Sequence, residues 1–141
     1  MSDLITLVYT STAVRPLSDQ ELLELLEQAR EKNYRLNITG MLLYQKPTFL
    51  QVLEGSQEAV EDLFKSIVRD PRHYDVTLLL KRVIKEREYT QWNMKFTNLD
   101  TLDLSKIPGY ATYAKAPLNS KNFQISNFTS TFLNLFKDHQ I

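Results

Sequence analysis

The sequence predicts an α+β fold in two layers, a five-stranded mixed sheet with two helices on one face. Three observations carry this. Short runs of strand formers occur at residues 4–9, 41–44, 49–53, 76–85 and 92–97. Two segments with apolar residues at helical spacing separate the first run from the second and the third from the fourth, and turn or capping signals stand at the junctions. The order strand, helix, strand, strand, helix, strand, strand returns both helices to one sheet. That is the ferredoxin-like arrangement with an added strand.

Each element has its own warrant. In the first strand, Ile5, Leu7 and Tyr9 share one face and Thr6 and Val8 the other. Residues 10–16 read as a polar turn. Ser18 followed by Glu21 has the form of a capping box, and Leu22, Leu25, Leu26 and Ala29 continue it as an amphipathic helix expected to end near Lys32 or Asn33. The runs at 41–44 and 49–53 flank Lys46, Pro47 and Thr48, the pattern of a hairpin with a short loop. Gly55 and Ser56 open a second helix in which Val60, Leu63, Phe64, Ile67 and Val68 repeat at helical spacing. Asp70-Pro71 stops it, because the residue before a proline is pushed out of the helical region.

A long strand then spans 76–85, and Lys81, Arg82, Lys85 and Arg87 near its end form a basic cluster expected to be solvated. In the strand at 92–97, Trp92, Met94 and Phe96 face one way and Asn93, Lys95 and Thr97 the other. Residues 102–117 are irregular. The stripe Ile125, Phe128, Phe132, Leu135 and Phe136 marks a final helix over about 122–138. The expected division is therefore a domain at 1–98 and a helical extension at 99–141 packing on the sheet.

Composition narrows the chemistry. The chain has 141 residues, 43% hydrophobic and 24% charged, as in a globular domain. Seventeen basic residues balance seventeen acidic ones, so no overall field favours nucleic acid, an anionic membrane or a charged substrate. There is no basic leader and no apolar run near the roughly 20 residues that cross a bilayer; a cytoplasmic location is expected. Cysteine is absent, which removes disulfides, thiolate metal sites and covalent adducts to protein sulfur. His73 and His139 are far apart, so no metal site is expected. The glycines, Gly40, Gly55 and Gly109, write no phosphate-binding loop, and no Gly-x-Ser-x-Gly turn exists. No enzyme active site is expected.

What remains is a polar residue in an apolar strand. Gln51 lies between Phe49 and Leu53 on one face, and a buried amide without partners costs about 1 to 3 kcal/mol. Tyr9, Trp92 and Met94 can point into the same layer, and Asn33 stands where the first helix is expected to end. Each has an ordinary packing explanation, Tyr9 and Trp92 as core aromatics, Met94 as gap filler and Asn33 as helix C-cap. Gln51 resists one.

Five motifs then coincide: LVYTS at 7–11, Asn33 and the Asn-Ile-Thr-Gly of 37–40, FLQVLEG at 49–55, RDPRH at 69–73 and WNMK at 92–95. In this order they resemble the BLUF domain, a family of flavin-based blue-light sensors, over residues 4–97. The tail resembles that of short, stand-alone members of the family. The resemblance implies a noncovalently bound flavin between the two helices: FAD, with FMN or riboflavin as alternatives. It implies Tyr9 as donor of an electron and a proton, and Gln51 as the photoswitch bonded to both Tyr9 and the flavin. Asn33 and Lys32 would lie at the polar ring edge, Leu25 and Ile67 on its faces, Arg72 and His73 toward the ring or phosphate. Trp92 and Met94 would relay the signal.

Three positions depart from the family pattern: Lys32 where Asn or His is frequent, Asn37 where Gly is common, and Asn93 where a small residue is usual. None touches Tyr9 or Gln51. The partners implied are the flavin, a second copy in a homo-oligomer and an unidentified downstream protein, with no membrane and no nucleic acid. A cofactor-free ferredoxin-like module that binds protein or RNA is the alternative from another class.

Overall fold

A computed structural model of the chain describes residues 3–90 and 94–98; Trp92, Asn93 and the expected extension at 99–141 lie outside the described residues. The elements are β1 (Leu4–Ala13), α1 (Asp19–Leu36), β2 (Thr39–Gln45), β3 (Thr48–Ser56), α2 (Gln57–Val68), β4 (His73–Val83) and β5 (Lys95–Asn98). The sheet order is β4-β1-β3-β2-β5. Its first four members pair antiparallel and the short β5 runs parallel to β2. This is a ferredoxin-like α+β sandwich.

The strand faces follow the period of two. Ile5, Leu7 and Tyr9 of β1, Leu42 and Tyr44 of β2, Phe49 and Leu53 of β3, and Phe96 of β5 join Leu22, Leu26, Val60 and Leu63 of the helices in one core. Met94, just before β5, lies in the same core. On the opposite face Val8, Met41, Leu43, Leu50 and Val52 are also buried. β2 and β3 approach closely at Gly40, where an added Cβ would fall 1.9 Å from the Val52 carbonyl oxygen. No other residue fits there without parting β2 from β3.

Several boundaries differ from expectation for identifiable reasons. β1 runs on to Ala13, because Ser11 pairs with Phe49 on one side and Ala13 with His73 on the other; pairing to two neighbours overrides the turn-like composition of 10–13. The capping box at Ser18 is complete, with Glu21 N donating to Ser18 Oγ and Ser18 N to Glu21 Oε1. α1 nevertheless passes Asn33 and ends at Leu36, so Asn33 is not its cap. The stop is Asn37, in the left-handed region at φ 55°, with Asn37 N donating to Tyr34 O and Ile38 N to Asn33 O. That conformation favours glycine and tolerates asparagine, which accounts for Asn37 at a position where glycine is common. β4 starts at His73 and ends at Val83, and Val68, the last of the expected α2 stripe, is 53% exposed.

The basic cluster is also not uniformly solvated. Arg87 is half-buried, and its guanidinium donates to the carbonyls of Asn37 (2.8 Å) and Glu54 (2.9 Å) and to Thr39 Oγ1 (2.9 Å). Beside it, the buried Glu54 side chain accepts from Tyr89 N (2.9 Å) and Thr39 Oγ1 (3.3 Å) at Oε1 and from Glu88 N (2.9 Å) at Oε2. Together these bonds pin the chain leaving β4 to the centre of the sheet.

Candidate functional site

Helix residues that the apolar spacing turns inward are not all covered. Leu25 and Ala29 of α1 and Ile67 of α2 are only half-buried, because a cavity of about 640 Å³ separates the helices there. This is a volume typical of small-molecule sites. The sheet contributes Tyr9, Ser11, Leu42, Phe49 and Gln51; α1 adds Gln28, Lys32 and Asn33; α2 and the segment after it add Leu63, Ser66, Asp70, Arg72 and His73.

At the sheet, Tyr9 and Gln51 sit opposite each other in the β1–β3 register. Tyr9 Oη donates to Gln51 Oε1, and Gln51 Nε2 donates to Met94 Sδ at 3.4 Å. The Tyr9 ring packs tilted against Phe64, centroids 5.5 Å apart. The pairing of β1 with β4 slips in register beside Tyr9, a local irregularity of the kind that re-aims side chains. Burial pushes the Tyr9 phenol well above its ordinary range, and the negative charge of Asp70 adds to the shift. Tyr9 therefore keeps its proton throughout the neutral range; here it donates to the Gln51 carbonyl, and the amide nitrogen faces Met94.

The remaining expected residues line the walls. Asn33 is buried at the end of the cavity, on the last turns of α1. Lys32 Nζ donates across the cleft to Ser66 Oγ at 3.4 Å. The Arg72 guanidinium is exposed, bonded to the Asp70 carboxylate and, through Nη1, to Gln28 Oε1 at 3.2 Å. Arg72 in turn holds the Asp70 carboxyl below its ordinary range. His73 Nε2 lies 2.7 Å from the Ile67 carbonyl oxygen at the end of α2. The structure thus brings together Tyr9, Asn33, Gln51, Leu25, Ile67, Lys32, Arg72 and His73 around one cavity, with Met94 adjoining at Gln51; Trp92 lies outside the described residues.

Sequence reasoning gave no individual site role to Ser11, Gln28, Phe64, Ser66 or Asp70. Ser11 had a signal, since it follows Tyr9 by two residues and so shares its face. Its hydroxyl is buried, borders the cavity and has no protein partner. A native fold rarely leaves such a group unsatisfied, so a water or a polar ligand group in the cavity is its natural partner. The lining suits a flat heteroaromatic, with apolar side chains from two facing helices for its faces, hydroxyl and amide groups for its edges, and cations at the mouth for an anionic substituent. Among the described residues no group of three or more His, Asp or Glu could hold a metal ion, and no helix is long and apolar enough to cross a membrane.

Comparison with known proteins identifies the family. The family model described as "BLUF: Sensors of blue-light using FAD" matches residues 4–95. The chain is 34% identical over 142 residues to photoactivated adenylate cyclase subunit beta of Euglena longa, covering 84% of this chain but only 16% of that relative, so it spans about a sixth of the relative's length. It is similar in structure to BlsA in its photo-activated state (TM-score 0.79, 28% identity, 98% of each chain covered) and to BlrB, a BLUF protein in its dark state (TM-score 0.65, 30% identity, 81% of this chain and 92% of that one). With a match to most of its described length, the chain belongs to the BLUF family, the flavin-binding sensors of blue light.

Proposed function

We propose that this chain is a blue-light photoreceptor in which a flavin occupies the cleft between α1 and α2 and the hydrogen-bond chain Tyr9–Gln51–Met94 is the switch. One observation carries the reading: a buried glutamine joins a protonated tyrosine to a thioether at the edge of a cavity lined for a flat polar ligand. The residues fit a flavin. Leu25 and Ile67 would cover its ring faces, Asn33, Lys32 and Ser11 would meet its polar edges, and Arg72 and His73 would lie toward the ring or a phosphate substituent. FAD is the cofactor in the family's description; FMN and riboflavin would use the same ring contacts. Bound there, a flavin supplies absorption of blue light and, once excited, a strong oxidising power.

The protein's own part is proton and hydrogen-bond chemistry. Tyr9 is the donor of an electron and of its phenolic proton, which leaves along the bond to Gln51 Oε1. An amide presents donors at one end and an acceptor at the other, so rotation or tautomerism of Gln51 reverses what it offers each neighbour. The thioether of Met94 is a weak acceptor, so the bond surrendered on that side is inexpensive to break. Met94 then shifts with the start of β5, and together with Trp92 it passes the change to a surface that a downstream protein or a second copy reads. A ligand-free packing role for these residues would leave the inner faces of Leu25 and Ile67 open to the cavity.

The test is a pair of variants reconstituted with flavin. Tyr9→Phe should keep the flavin and lose the normal photocycle, and Gln51→Leu should abolish the light-shifted state. An unchanged light-induced spectrum in either variant would overturn that residue's role.

A further inference from the structure

We propose that Arg30 is a positioning residue of the switch, a latch from α1 that holds the Met94 peptide in the dark arrangement and so governs the return from the lit state. This rests on the roles given above to Tyr9, Gln51 and Met94. Arg30 lies one turn before Asn33 and is half-buried, and its Nε donates to the Met94 carbonyl oxygen at 2.9 Å across 64 residues of sequence. Met94, itself 1% exposed, is thus gripped twice, through its main chain by α1 and through Sδ by Gln51 Nε2 at 3.4 Å.

The two grips differ in strength. A charge-assisted bond to a carbonyl is stronger than an N–H to sulfur contact. Arg15 and Arg72 are each paired with a carboxylate, whereas Arg30 is directed at a main-chain oxygen. Met94 directly precedes β5, a strand of four residues joined to β2 over Met41 to Tyr44, so the position of its peptide sets where that strand begins. Upstream, the N–H groups of Glu88 and Tyr89 are held by Glu54 at 2.9 Å each. Motion at the switch is therefore bounded on one side by the sheet and on the other by α1.

A contact biases a two-state element only when it favours one state. If Gln51 turns its oxygen toward Met94, two acceptors face each other and Sδ is driven away, while the Arg30 bond still favours the original site. Return requires Met94 to sit again within reach of Gln51 Nε2. Arg30 is the group that guides it there.

The experiment uses the full chain loaded with flavin and the variants Arg30→Met, which keeps an apolar stem without a donor, and Arg30→Lys, which keeps the charge and secures an interpretable fold. Three quantities are read: the size of the light-induced shift, the rate of thermal return and the dark hydrogen exchange of the β5 amides. Arg30→Met should keep the shift, return about tenfold more slowly, as expected when a charge-assisted bond is withdrawn from one state, and exchange faster at β5. Arg30→Lys should fall between it and the parent. A return rate within about twofold of the parent, or a faster one, would overturn the latch while Gln51→Leu still abolishes the shift; a shift surviving Gln51→Leu would overturn the switch and the latch with it.

Discussion

Replacing Glu54 by glutamine tests the reasoning about the connection between β4 and β5. The change is isosteric, so packing is conserved and only hydrogen bonding is altered. Oε1 accepts from Tyr89 N and Thr39 Oγ1, and Oε2 accepts from Glu88 N. Whichever way the amide is turned, its NH2 meets a main-chain N–H. One bond to a charged acceptor is lost and one buried donor is left without a partner, for a combined cost of about 2 to 4 kcal/mol. The assay is urea unfolding followed by far-UV circular dichroism, reading the midpoint with its slope unchanged. A loss smaller than about 0.5 kcal/mol would refute the account, because it would mean that these bonds are made no better in the folded chain than in the unfolded one. The variant should also loosen residues 87–89, seen as faster hydrogen exchange at Glu88 and Tyr89.

Two further outcomes follow from the cleft and from two buried tyrosines. Ser11→Ala removes a hydroxyl that has no protein partner, so stability without ligand should be unchanged or slightly raised while flavin affinity, measured by titration, falls about three- to tenfold, the value of one hydrogen bond; unchanged affinity would remove Ser11 from the site. Burial raises the proton affinity of Tyr9, and of Tyr89 with help from the charges of Glu88 and Glu54, so the unfolded chain loses these protons first as pH rises. The stability that depends on these neutral phenols is complete below the unfolded value of about 10 and declines above it, and Tyr9→Phe should show a shallower decline in unfolding midpoint between about pH 9 and 11. Parallel declines in the two proteins would contradict the Tyr9 assignment.

Much of the fold was legible because it depends on local period. The alternation in 4–9 and 49–53 places Tyr9 and Gln51 on the helix side, and the register then sets them face to face. The capping box at Ser18 marks the start of α1 for an equally local reason. The end of α1 was misread because Asn33 looks like a cap, whereas its burial beside the cavity is a tertiary fact and the true stop is the left-handed Asn37. Residues 10–13 looked like a turn because their composition is polar; two flanking strands make them part of β1. The cavity can be seen only once Leu25 and Ile67 are found half-covered. Arg30 and Arg87 gave no signal at all, since their carbonyl partners lie 33 to 64 residues away and any residue type could supply them.

The central claim is that Gln51 couples a flavin to Tyr9 and Met94, and the most direct test is the visible absorption of the flavin-reconstituted protein before and after blue light. The account predicts the bands of oxidised flavin in the dark, a small displacement to the red on illumination and a thermal return to the starting spectrum. A protein that stays colourless when offered FAD, or one that binds it and shows no displacement, would contradict it.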